Sequence, residues 1–392
     1  MSYQGTISRG IRTPIIRKGD DLVNIVADSV LAAAEEGHFE IQDKDVIAVT
    51  EAVVARCDGN YATVDQIAFD INEKFDSDTL GLVFPILSRN RFSMVLKGIA
   101  KSGKKLVIQL AYPSDEVGNS FITYEQMLEK GINPYSDSFT SEEFKKIFGE
   151  KLPHHFTGVD YIDYYKDFTG GAKIILSNNP CEILKYAKDI IACDIHTRKR
   201  TKKLLLNSGA NKVITLDEIL NKPNNNSGYN PQYGVLGSNL ATEDTIKLFP
   251  KNAKEFVLSL QAEMKKRTGK NVECMVYGDG AFKDPVGGIW ELADPVCSPG
   301  FTDGLMGTPN EVKFKYIADN KLAHLTGKEA EEAMKEIIRQ KDKDLKGNIL
   351  SQGTTPRQLT DLLGSLSDLT SGSGDKGTPV VLIQNYFKNY SN

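Results

Sequence analysis

Apolar positions recur along this chain with two different periods. Residues 19–36 follow the helical one: Leu22, Val23, Ile25, Val26, Val30 and Leu31 supply an apolar face, and Asp20 or Asp21 stands near the N-terminus. Residues 45–50 are a short, mostly apolar run of strand length. Residues 53–56 (Val-Val-Ala-Arg) continue the extended pattern up to a turn at Asp58-Gly59. From about 80 to 230 the periods alternate. Residues 105–110, 173–177, 190–194 and 212–216 read as strands, with helices near 181–188 and 198–208, which predicts a small α/β unit. Residues 224–229, rich in Asn, Ser and Gly, form a linker-like loop at its end. Beyond it come a helix ending at Arg267-Thr268-Gly269, a strand at 272–276, a charged helix at 328–345 and an amphipathic one at 358–369. A glycine-bearing loop at 371–377 then leads into a last strand at 379–383.

Length and charge narrow the picture. The 392 residues suit two domains, with 40% hydrophobic and 26% charged residues in an ordinary globular balance. A formal net charge of −4 argues against a nucleic-acid partner. The stretches Arg198-Lys199-Arg200 and Lys202-Lys203 read as solvated faces. Five scattered cysteines without a Cys-x-x-Cys spacing suggest neither a disulfide framework nor structural zinc. The polar, glycine-bearing residues 1–12 do not read as a signal peptide, and no apolar run approaches the ~20 residues that span a bilayer. The expectation is a cytoplasmic protein without a membrane partner.

The chemistry concentrates in glycine-bearing loops at strand ends, where backbone can approach a ligand closely. Tyr233-Gly234-Val235-Leu236-Gly237-Ser238-Asn239 is one, and Tyr277-Gly278-Asp279-Gly280-Ala281-Phe282 is another. Asp279 either holds a cation or fixes a Gly-Asp-Gly turn. Asn239 either contacts a ligand or caps the following helix or turn. The 371–377 loop either cradles phosphate with its N–H groups or serves as a flexible linker. Arg89 and Arg91, in Ser88-Arg89-Asn90-Arg91, either bind an anionic substrate or belong to an exposed loop, and His154, His155 and His196 lack metal-ligand spacing.

Taken in order, Gly234 to Asn239, Leu248-Phe249-Pro250, Arg267-Thr268-Gly269 and Gly278 to Lys283 resemble the motifs of the coenzyme F420-0:L-glutamate ligase family. So do Gly19-Asp20-Asp21-Leu22, the stretch from Val49-Thr50 to Gly59, and the helix, glycine loop and Pro-Val-Val strand at the C-terminal end. The resemblance covers roughly residues 8–62 and 230–385. It implies an α+β fold: an N-terminal ligase-like part (1–80), an inserted α/β unit (81–230) that shorter members lack, and a C-terminal ligase-like part (231–392). It also implies a homodimer, and an enzyme that joins glutamate to a carboxylate acceptor, F420-0 or another small metabolite such as a folate, with GTP (or ATP) and Mg²⁺ or Mn²⁺. The matching positions place nucleotide at Arg12, Thr13, Pro14, Ile15, Thr50, Glu51, Arg56, Asn239, Ser371, Gly372 and Gly374, and the cation at Asp279. Three positions depart from the family pattern. Leu236 stands where a second metal carboxylate is expected, Gly280 replaces a threonine, and Arg56 replaces a lysine. Glu243, Asp244, Asp284, Glu291 and Asp294 are the acids near enough in sequence to substitute for the first. The alternative is a nucleotide- or metabolite-binding protein on the same fold, without activity.

Overall fold

The computed structural model describes residues 3–155, 157–278, 298–354, 357–371 and 375–391, with the backbone of 282–283 and 290–291. Its architecture is α+β. The central five-stranded sheet runs Ile7–Ile11, Val380–Gln384, Val46–Thr50, Glu273–Tyr277, Gly300–Phe301, joining the two ends of the chain. Val46–Thr50 and Glu273–Tyr277 are parallel, and their other neighbours are antiparallel. Central strands covered on both faces read as unbroken apolar runs, which is the pattern seen here. Ile47, Val49, Cys274, Val276, Val380 and Leu382 point to one face, against Val26 and Val30 of the Leu22–Glu36 helix and Val257, Leu260 and Met264 of Ala253–Thr268. Val46, Ala48, Met275, Val381 and Ile383 point to the other, against Leu359 and Leu363 of Leu359–Ser371.

Local signals explain the helix limits. Asp21 caps Leu22–Glu36 by accepting from Asn24 N at 3.2 Å. The Arg267-Thr268-Gly269 stretch is structural. Gly269 takes the left-handed cap (φ 72°), and Arg267 pairs with Glu263 at 2.7 Å and with Asp28, tying the two helices on that face together.

One expected strand is a helix. Residues 53–56 lie within the Glu51–Asp58 helix, which begins where the Val46–Thr50 strand ends and closes on Gly59 in the left-handed conformation (φ 63°). Two adjacent valines favour extension locally, but Val54 and Ala55 are buried only when the segment coils against the sheet. Arg56 therefore sits in a last helical turn rather than on a strand. The helix expected near 181–188 is a shorter 3₁₀ segment, Pro180–Lys185.

A six-stranded sheet is built from residues 79–215. Its order is Ser138–Thr140, Lys173–Ser177, Lys105–Leu110, Thr79–Val83, Asp189–Ala192, Lys212–Thr215, with only the first strand antiparallel. Numbered along the chain, the parallel strands lie third, second, first, fourth, fifth across the sheet, a doubly wound order that reverses between Thr79–Val83 and Asp189–Ala192. The core of one face also takes in Ile67 and Ile71 from the preceding Val64–Lys74 helix and Phe75 just after it. A three-stranded ribbon, Asn239–Thr242, Thr245–Lys247, Tyr61–Thr63, lies between the two large sheets in the chain.

Candidate functional site

Strand register gathers the singled-out segments. Ile11 lies opposite Val380, Val380 opposite Val49, and Tyr277 opposite Thr50. The chain therefore leaves three strands, and enters a fourth, at one end of the sheet. Arg12, Thr50-Glu51, Gly278 and Thr378 all stand there, although they are far apart in sequence. Thr50 N donates to Pro379 O at 2.9 Å, Arg12 Nε donates to Lys376 O at 3.3 Å, and Thr378 Oγ1 donates to Ser371 O. A cavity of about 580 Å³ opens beside this end, lined among others by Arg12, Lys376, Thr370, Thr378, Ser29 and Glu36. Arg12 and Lys376 bring two cations to it against the one Glu36 carboxylate, while the Ser29, Thr370 and Thr378 hydroxyls already donate to backbone carbonyls; the excess of positive charge in a cavity of ligand size suits an anionic, phosphate-bearing molecule.

The other expected nucleotide residues distribute around this end. Thr13 is half-buried, with Oγ1 donating to Pro14 O at 3.0 Å, whereas Pro14 and Ile15 are exposed. Glu51 is buried. Both its oxygens accept from Lys247 Nζ, at 2.5 and 2.7 Å, and both side chains are over nine-tenths covered. Lys247 lies opposite Asn239 on one side and Tyr61 on the other. These three side chains thus share one face of the ribbon. Burial raises the Tyr61 pKa, the nearby Arg56 charge opposes that, and Glu51 reinforces it. Asn239 opens a strand, so it caps no helix. Its neighbour Leu240 donates from N to Asn90 O at 2.7 Å.

Sequence reasoning assigned no role to Lys247, Thr370 or Thr378, and considered only the backbone N–H groups of the loop that carries Lys376. A signal existed for the first, a lysine set between Ile246 and Leu248-Phe249, where a solvated charge is out of place.

The expected cation position is only partly within view. Asp279, Gly280, Asp284 and Asp294 lie outside the described residues, as do Gly372 and Gly374, and only the backbone of Glu291 is described. Among the described residues no group of three or more His, Cys, Asp or Glu side chains stands together as a metal site. Asp244 is exposed and paired with Lys97 at 2.5 Å. Leu236 is 2% exposed and packs with Ile86, Phe92, Cys193 and Ile195, inside the core of the six-stranded sheet. The described donors therefore do not by themselves make a cation site, and no catalytic step is routed through one.

The sequence pattern of F420-0:Gamma-glutamyl ligase matches residues 10–385, nearly the whole chain. The chain belongs to that family. The match runs through the six-stranded sheet as well as both ends, so the family assignment does not rest on the terminal motifs alone. No curated protein matches the chain. Among the described residues no helix is long and apolar enough to cross a membrane.

Proposed function

We propose that the chain is a γ-glutamyl ligase that spends a nucleoside triphosphate, GTP or ATP, to join glutamate to a small carboxylate acceptor. The observation that carries this reading is the convergence of Arg12, Thr50, Lys376 and Thr378 at one sheet end beside one cavity, in a chain of this family. Amide formation needs the acceptor carboxylate activated. Its oxygen attacks the terminal phosphorus and displaces the nucleoside diphosphate. The glutamate amine then attacks the acyl carbon and phosphate leaves, the amine losing a proton. Arg12 and Lys376 supply positive charge for the phosphates. A divalent cation would neutralise phosphate charge further, with Asp279 as its proposed ligand. The acceptor is F420-0 or a metabolite of similar chemistry, and the working form is a homodimer in the cytoplasm.

A second reading has one specific observation behind it. Leu236 is committed to an apolar core, which favours a binding protein that has lost the chemistry. Isothermal titration of GTP and ATP, with Mg²⁺ or Mn²⁺, against wild type and Arg12→Ala tests the first reading. Losing one charged contact is worth about 1.5–3 kcal/mol, so binding should weaken roughly tenfold to a hundredfold. Absence of binding for both nucleotides under every metal condition sinks it.

A further inference from the structure

The ribbon face that carries Lys247 holds donors the fold itself does not use. Asn239, Lys247 and Tyr61 stand in one row across the three strands, opposed by register. Side chains opposed in this way lie about 5 Å apart. Lys247 at the centre is buried, and Tyr61 and Asn239 at the ends are half-buried. Neither the Tyr61 hydroxyl nor the Asn239 carboxamide makes a hydrogen bond among the described residues. Arg56 lies in the last turn of the Glu51–Asp58 helix. It is exposed, forms no ion pair among the described residues, and stands close enough for its charge to act on Tyr61.

The centre of the row is an ion pair, and stability alone does not explain it. Replacing a buried pair with apolar side chains of the same volume is often neutral or stabilising, because desolvation of the two charges offsets their attraction. What the pair does is join two elements. Glu51 opens the helix that carries Arg56, and Lys247 belongs to the ribbon that carries Tyr61 and Asn239. Both Glu51 oxygens accept from the one ammonium, which holds helix and ribbon in a single relation. The two charges of the pair cancel, so Arg56 leaves the group with an excess of positive charge.

We propose that Tyr61 is a further substrate-contacting residue, its hydroxyl donating with Arg56 and the Asn239 carboxamide to phosphate oxygens of the nucleotide, and that Lys247 and Glu51 are the positioning pair that holds helix and ribbon for this contact. The place suits that ligand. Glu51 follows Thr50, whose strand is third across the sheet from that of Arg12, and two strand spacings are about 10 Å. A nucleoside triphosphate is longer than that, so one molecule reaches from the Arg12 and Lys376 cavity to this row. Burial raises the Tyr61 pKa, against the Arg56 charge and with Glu51, so the hydroxyl keeps its proton and stays a donor near neutral pH. A hydrogen bond to a charged oxygen is worth roughly a tenfold change in affinity or more.

The contact assigned to Tyr61 rests on the nucleotide reading above. The test is isothermal titration of GTP and of ATP, each with Mn²⁺, against the full chain, Tyr61→Phe, and the double variant Lys247→Met with Glu51→Gln. Removing a hydroxyl that bonds to nothing in the fold leaves the urea unfolding midpoint of Tyr61→Phe unchanged, so any loss of affinity belongs to the ligand. That loss is expected to be roughly tenfold or more, and the same for each nucleotide that binds wild type, because phosphate is common to both. The double variant strands no buried charge and stays folded by circular dichroism, yet its binding is expected to weaken several-fold. Wild-type affinity in Tyr61→Phe overturns the contact, and wild-type affinity in the folded double variant overturns the positioning role, with the nucleotide reading intact in either case. If wild type binds neither nucleotide, that reading and this one fall together.

Discussion

Replacing Lys247 by methionine removes the ammonium from which both Glu51 oxygens accept, and leaves that carboxylate in a place where both side chains are over nine-tenths covered. A surface pair broken in this way costs about 0–1 kcal/mol, because water takes over the freed charge. In a buried pair the surviving charge keeps its desolvation penalty, and the cost rises to about 3–5 kcal/mol. Lys247→Met and Glu51→Gln should therefore each lower stability by that larger amount. The double variant should recover most of the loss, because a neutral amide beside a thioether strands no charge. Urea unfolding of the four proteins, followed by circular dichroism, measures the cycle directly. Single variants that cost under about 1 kcal/mol, or a double variant whose loss is the plain sum of the two, would refute a buried, coupled pair.

Two further predictions use the glycine loop and a buried carboxylate. Gly234 has φ +52°, and a Cβ there would stand 2.4 Å from Ile219 O and 2.6 Å from Asp217 O, so Gly234→Ala should destabilise by at least about 1–3 kcal/mol, measured by thermal unfolding; an unchanged melting temperature would mean the loop is not held as described. Glu116, which accepts from Ile195 N and His196 N, is raised by burial from 4.5 to about 7, so the folded chain holds its proton more tightly than the unfolded one. Its contribution is fully present below about pH 4.5 and lost as pH rises toward about 7; Glu116→Gln should flatten that part of the stability–pH curve, and an unaltered slope would refute the shift.

What the sequence made legible was local. Asp21 at the head of an apolar-faced stretch and Gly269 at the end of another announced their helix limits, because capping depends on residues three or four apart. Central strands such as Val380–Gln384 were visible as apolar runs. Val53-Val54 misled because β-branched residues favour extension until tertiary burial decides otherwise. Non-local facts stayed hidden. Glu51 and Lys247 are 196 residues apart, and nothing near either names the other. The substitution at Leu236 reads in sequence as a missing ligand, whereas in the fold it is a core residue of the six-stranded sheet. The reversal of strand order in the six-stranded sheet depends on which strands pair and has no counterpart in the linear pattern.

The ligase reading is tested most directly by incubating the protein with glutamate, GTP, Mn²⁺ and F420-0, and following the acceptor by mass spectrometry. The account predicts an acceptor heavier by one glutamyl residue, formed together with phosphate release, and strongly reduced in Arg12→Ala. Intact acceptor and no glutamate-dependent phosphate release, repeated with ATP and with other small carboxylates, would contradict it.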